Sequence, residues 1–457
     1  MISLMSTLNT ASEALMAQEA EISVTNNNIA NASTAGYTRE TVSLQEAAPT
    51  SQGALSVGNG VEVAGITSVR NELLTSRIQQ QTSEQGSSDA QVTALTQIQT
   101  LFPSTGTSLA SSLSGFFTSL SALSSNPTDA ANRQTVLSSA QTLVQQFNSV
   151  SAGLSGPASS LNTTVKTDVA QINELSSEAA SLNQQITSQS ATGQSSGTLT
   201  DQLGQVETQL ASLTNISVTH GTGGDTITTG NGTPLVLAGQ SHALQTSTGS
   251  DGNTHILDSS GTDITSAISS GDLGGTIQIR DTVLPGLQTS LDTLANQFAT
   301  AFNSAQASGY TQNGTAGAAL FSIPTTVAGS AAAISLTTTD PTAIAASSDG
   351  SSGSSGNVAN LVALQNSALP SGQSVTTGSA NLVYQIGNLT SNATTQQSSI
   401  SLSLSSLTTQ QSSVSGVSID EESANLIRYQ QAYEAAAKVV STISTLFDTT
   451  INMISGS

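Results

Sequence analysis

Residues 418–457, SIDEESANLIRYQQAYEAAAKVVSTISTLFDTTINMISGS, carry the pattern that decides the architecture. Leu426, Tyr433, Val440, Phe447 and Ile454 recur every seven residues, and Tyr429, Ala436 and Ile443 hold the second seam position. Apolar residues at that spacing keep one stripe of a helix turned toward a partner helix along its whole length. The start is also marked. Ser418 stands three residues before Glu421, so its hydroxyl is expected to accept from the Glu421 amide while the Glu421 carboxylate reaches back. Asp420, Glu421 and Glu422 complement the positive end of the helix dipole. Capping accounts for these acids, which are therefore not taken as catalytic carboxylates or metal ligands.

The other end of the chain has the same texture. Leu8, Leu15, Ile22 and Ile29 repeat at seven, with Leu4 and Ala11 interleaved. An ordinary amphipathic helix on a globular core is the competing reading. The helix is expected to stop near Asn31, where Ala32-Ser33-Thr34-Ala35-Gly36 supplies a breaker with a glycine able to take positive φ.

Between the ends, Tyr37 to Gln45 alternates like a strand, and Asn59-Gly60 predicts a tight hairpin turn inside 57–63. Helical spacing returns from Arg70 to Phe102 and is ended by Pro103. Three helices are expected next: one on Leu109 to Leu123, one on Leu137 to Val150 closed by Pro157, and one on Leu161 to Ile186. In the last of these Val165, Ile172, Ala179 and Ile186 alternate with Leu161, Leu175 and Leu182, and Asp168 interrupts the seam. After a Gly193 to Gly197 loop, Leu199 to Leu213 predicts the second arm of a helical hairpin.

From Asn215 through Ile279 the helical period disappears. Short stretches (216–218, 235–237, 277–279) between Gly, Asn, Asp and Thr predict a β-rich insertion with a turn at Asn231-Gly232. Leu284 to Phe302 is again helical, with Pro285 in the tolerated first turn. Residues 309–350 offer little apolar surface, the GSSGSSG of 350–356 reads as a flexible link, and Leu382 to Val414 is helical.

Composition narrows the function. The 457 residues hold 8 Lys plus Arg against 29 Asp plus Glu, a net charge of −21. Phosphate neutralisation is out of reach, so nucleic acid and anionic membranes are not expected partners. Only 8% of residues are charged, against about 25% in soluble domains at large. With no Cys, disulfides and thiolate chemistry are excluded. No run reaches the roughly 18 apolar residues of a membrane helix. No Lys or Arg precedes Arg39, so the basic region of a cleaved secretory signal is missing.

Asn27-Asn28-Ile29-Ala30-Asn31-Ala32-Ser33-Thr34-Ala35-Gly36-Tyr37-Thr38-Arg39 resembles the N-terminal signature of bacterial flagellar rod, hook and hook-associated proteins. The run from Gly416 to Lys438 is similar to the C-terminus of the hook-associated protein 1 family and is read as separating the chain from rod and hook proteins. Asn126-Pro127-Thr128-Asp129 with Arg133, residues 281–303 and residues 314–321 are also similar. The resemblance implies a non-enzymatic structural protein without cofactor or metal, joining hook to filament outside the cell after export without a cleaved signal. The implied partners are copies of itself, the hook protein, the second hook-associated protein, and an export chaperone at the C-terminal helix. Its fold is expected to be mainly α, α+β overall. Residues 1–35 and 420–457 would form an inner coiled-coil layer; 36–214, 281–308 and 351–419 an elongated helical bundle with a small hairpin; 215–280 a β-rich outer insertion; and 309–350 an irregular or β segment on the bundle. Leu8, Leu15, Ile22, Ile29, Asn31, Leu426, Tyr433, Val440 and Phe447 are the expected assembly interface, with Ser418 and Glu421 as helix cap.

Three alternatives remain open at this point. An enzyme in the insertion would use His220, His242 and His255 beside Asp225, Asp251 and Asp258, although no HxH or HExxH ligand pair is present. A surface adhesin would not need heptads at both ends. Another axial flagellar protein would share the N-terminal signature.

Overall fold

The computed structural model describes residues 2–52, 55–103, 106, 108–192 and 196–455. The side chains of 2, 3, 50–52, 55–57, 454 and 455 lie outside that description, and with them the expected seam position Ile454 and part of the 193–197 loop. Helix α1 (Ile2–Asn31) leads into strands β1 (Glu40–Glu46), β2 (Thr50–Gln52), β3 (Leu55–Val57) and β4 (Val61–Ser68). Then come α2 (Glu72–Gln99), α3 (Leu109–Ser125), α4 (Ala130–Ala191) and α5 (Gly197–Leu213).

The Asn59-Gly60 turn does not join a hairpin. β4 pairs antiparallel with β1, Glu40 opposite Ser68, while β2 pairs with β3. The longer pairing wins because β1 and β4 together lie against α1, a contact the local hairpin would forgo.

Pro157 does not end a helix either. α4 runs 62 residues through it, roughly 93 Å at 1.5 Å per residue. Pro disfavours helix by clashing with the preceding residue's Cβ, and here that residue is Gly156, which has none. The ring itself is buried.

The insertion holds β5 (Ile216–Thr219), β6 (Thr226–Thr229), β7 (Pro234–Leu237) and β8 (Gln240–Ser241) in one antiparallel sheet of that order. β9 (Gln245–Thr248) and β10 (Thr254–Leu257) form a separate hairpin. The expected strand at 277–279 is helical: α6 (Gly271–Gln278) passes through a π turn at Ile279–Val283 into α7 (Leu284–Ala307). A Cβ on Gly275 would stand 2.2 Å from the Ser87 carbonyl oxygen, so the glycine that looked like loop chemistry lets α6 press backbone to backbone on α2. The wider π turn precedes Pro285, where a regular turn would leave the ring against the carbonyl four residues back.

The segment that follows carries β11 (Phe321–Ser322), α8 (Ser330–Ala333) and β12 (Ser335–Leu336), then α9 (Gly356–Ala363), α10 (Val375–Ser415) and α11 (Ile419–Ser455). Contrary to expectation, 309–350 contributes to the core: Leu320, Phe321, Ala331, Ile334, Ile344 and Ala346 are buried. Its backbone is satisfied by helix side chains. Asp292 accepts from the Gly329 and Ala331 amides, Asn303 bonds Leu320 and Phe321, and Gln306 donates to the Ala343 carbonyl. Nor is GSSGSSG a free link, because Asp349 accepts from the Ser351 amide and hydroxyl.

Two cores result. One joins α3, the first half of α4, α7, the 309–350 segment and the start of α10, around six phenylalanines (116, 117, 147, 298, 302, 321) with neighbouring ring centroids 5.1 to 6.4 Å apart. The buried Arg133 closes that core's edge, donating to the carbonyls of Pro127, Pro341 and Ile344 at 2.6, 3.1 and 2.9 Å. Burial lowers the pKa of its guanidinium. The second core joins the latter half of α4 to α5, α6 and the insertion. There Asn162, Asn173 and Asn183, about three turns apart on α4, bond the backbone at Thr254, Leu244 and Asp225.

Candidate assembly surface and its junction with the bundle

The terminal helices α1 and α11 pack on each other rather than standing unpaired. Their pairing buries the expected seam only in part, at Ala11 and Ile443. On α1 the fully covered residues are Ala11, Ala17, Val24, Thr25 and Asn28, whereas Leu8, Leu15, Ile22, Ile29 and Asn31 are only half-buried. On α11 Glu422 and Ile443 are buried and Leu426, Val440 and Phe447 are half-buried; Tyr433 is 39% exposed. Ile427, Val439, Leu446 and Met453 of α11, with Met5 and Met16 of α1, are exposed outright. Small residues explain the α1 result, since alanines let the helices approach closely and push the larger heptad side chains to the flank.

A polar junction ties this pair to the bundle. Past Asn31 the chain turns at Gly36, whose φ is +78° and whose missing Cβ would meet the Gln205 side chain at 2.4 Å. Gln205 in turn donates to the Ala35 carbonyl. Asn28 is the centre: its amide donates to the Glu40 carbonyl (2.9 Å) and the buried Glu422 carboxylate (3.2 Å), and its oxygen accepts from the Glu40 amide (2.9 Å) and Tyr37 hydroxyl (2.8 Å). One asparagine thus holds α1, β1 and α11 together. Burial, with Glu40, Asp201 and Glu422 nearby, pushes the Tyr37 phenol up to about 12. Burial also raises the Glu21 pKa, against Gln18 and Arg428, which lower it.

Arg39 continues the junction. Its amide donates to the Ser415 carbonyl at 2.9 Å and its guanidinium faces Glu421 at 3.4 Å. Thr38 donates to Asp201, which also pairs with Arg70. Ser418 accepts from the Glu421 amide at 3.4 Å, but the Glu421 carboxylate is turned to Arg39 in place of the reciprocal bond of a capping box. The Asn residues of the signature are of the type that caps backbone groups at a helix end, as Asn28 does at Glu40, whereas its reach to Glu422 had no signal in the sequence.

The histidines of the insertion stand apart: His220 lies 3.0 Å from Asp225, and His255 lies between Asp251 and Asp263. Among the described residues no group of three or more His, Cys, Asp or Glu is placed to hold a metal ion, and no helix is long and apolar enough to cross a membrane.

Residues 95–321, the α3, α4 and insertion region, match the sequence model of the flagellar hook-associated protein FlgK helical domain. Flagellar hook-associated protein 1 of Salmonella typhimurium is 28% identical over 98% of this chain and 100% of its own length, and that of Bacillus subtilis is 29% identical over 97% of each. The chain belongs to the flagellar hook-associated protein 1 family. The flagellar hook junction protein FlgK from Burkholderia pseudomallei has a similar fold, with a TM-score of 0.66 at 18% identity, over 74% of this chain and 100% of that one. As a member of the hook-associated protein 1 family the chain is a structural protein of the bacterial flagellum and associates with other flagellar components.

One expectation is corrected. Residues 410–453 match the model of the flagellar basal body rod FlgEFG protein C-terminal, and 8–38 that of the flagella basal body rod protein. The ends are therefore shared with rod proteins, and it is the helical domain between them that sets the chain apart.

Proposed function

We propose that the α1–α11 pair is the polymerisation element, forming an inner layer with the same helices of neighbouring copies, while the bundle surrounds it and the β insertion faces outward. The single observation that carries this reading is the half-burial of the heptads: Leu8, Leu15, Ile22 and Ile29 with Leu426, Val440 and Phe447 leave apolar surface that intramolecular pairing does not cover. A contact that repeats head to tail without closing produces a helical assembly. In this reading the hook protein adjoins one end of the assembled layer and the second hook-associated protein the other.

With only 8% charged residues, register along the seam rests on shape and on Gln, Asn, Ser and Thr contacts, so assembly is only weakly sensitive to salt. Before export, the exposed stripe of α11 is held by a cytoplasmic chaperone. The test is a Leu426→Asp, Val440→Asp double variant. It should lose both assembly and chaperone capture while the melting of the bundle is unchanged; an assembling variant would sink the proposal. Tyr433→Asp serves as a milder second variant.

A further inference from the structure

The β9–β10 hairpin carries a side-chain arrangement unrelated to the terminal helices. His255, on β10, has its Nδ1 2.6 Å from Asp263 Oδ2 and its Nε2 3.2 Å from Asp251 Oδ1. Ionised carboxylates only accept hydrogen bonds, so both ring nitrogens must donate, and an imidazole donates from both only when protonated. The ring lies against the chain: a Cβ on Gly249 would stand 2.5 Å from Nε2. We propose that His255 is a pH-operated latch, its protonated ring tying Asp251 in the hairpin turn to Asp263 beyond β10, and its deprotonation freeing the Gly249–Asp251 side of that turn.

The other charged groups around the hairpin do not compete for the ring. Asp258 accepts from Ser260 and Thr262 in the next turn. Arg280, paired with Asp281, donates to the Thr254 carbonyl at 2.7 Å, and Asp281 accepts from Asn253. These bonds, with Asn162 on the Thr254 amide, hold the Asn253–Thr254 side of the turn at any pH that leaves the carboxylates ionised, and leave the Gly249–Asp251 side to the latch. Asp263 first, then Asp251, raises the His255 pKa. The latch is therefore closed below that pKa and is lost as pH rises through it.

The full chain labelled with [13Cε1]histidine has three histidines to follow by NMR, and His255→Gln assigns the one in question. His255 is expected to titrate above the ordinary value of about 6.5, to fall most in Asp263→Asn and less in Asp251→Asn. Amide protection factors over 249–263, corrected for intrinsic rates, should fall several-fold as pH crosses that point, and stay constant in His255→Gln. Gly249→Ala should displace the ring and act like the Asn variants. A His255 that titrates at or below the ordinary value, that ignores both Asn variants, or whose titration leaves protection unchanged, would overturn the latch.

Discussion

α4 and α11 carry the same seven-residue pattern and meet opposite fates. In α4, Val165, Ile172 and Ala179 are fully buried, because α5, α6 and the insertion supply the partner surface within the chain. In α11, Leu426, Val440 and Phe447 are half-covered and Tyr433 more open still, although α1 lies alongside. A heptad thus reports that a helix seeks a partner, but not where the partner resides. The residual exposure is what separates a folding seam from an assembly seam.

Substitutions can sharpen that contrast. In the bundle, Phe298→Ala removes a ring packed against five other phenylalanines and should cost about 3–5 kcal/mol in global unfolding. Tyr433→Ala in α11 should move the same unfolding curve by no more than about 0.5 kcal/mol. Equal effects on denaturant titration would erase the distinction. Arg133→Met should cost about 2–4 kcal/mol by stripping buried carbonyls of their donor, again in the bundle alone. Asn28→Ala should cost about 1–3 kcal/mol, read as faster amide exchange in α1 and α11 with the bundle's melting unaltered.

The smallest effect is on pH. Burial raises Asp168, with Asp272 adding to it, and Glu207, with Asp225 adding to it, to about 7. Acids whose folded pKa lies above the unfolded one favour the folded state most in acid. Their contribution is lost as pH rises from about 4 through about 7. The second core should weaken over that interval and level off above it, and Asp168→Asn should flatten part of the slope in melting temperatures taken from pH 5 to 8. The terminal pair, whose own raised carboxyl is the less buried Glu21, should follow the slope weakly.

Much of this was legible in the residues. Both terminal helices, the α4–α5 hairpin and the switch to β at Asn215 follow from spacing and turn chemistry. What spacing could not carry was pairing across distance. The expected seam of α1 was drawn mainly through its largest side chains, yet of its members only Ala11 is buried, together with Ala17 and Val24 outside it. Residues 309–350 looked apolar-poor because single residues such as Phe321 and Ile344 fill the core without a period, while Asp292, Asn303 and Gln306 on α7 hold the backbone. Gly275 looked like loop because close helix contact and a turn ask for the same residue. At the junction, Asn28 gave no sign that it would reach Glu422, nearly four hundred positions away.

Amide hydrogen exchange, measured on the free subunit and on the assembled form, tests the central claim most directly. The account predicts that 2–31 and 419–455 exchange faster than α3, α4 and α7 in the free subunit and gain protection on assembly, most along Leu8 to Ile29 and Leu426 to Phe447. Terminal helices as protected as the bundle when free, and no more protected once assembled, would contradict it.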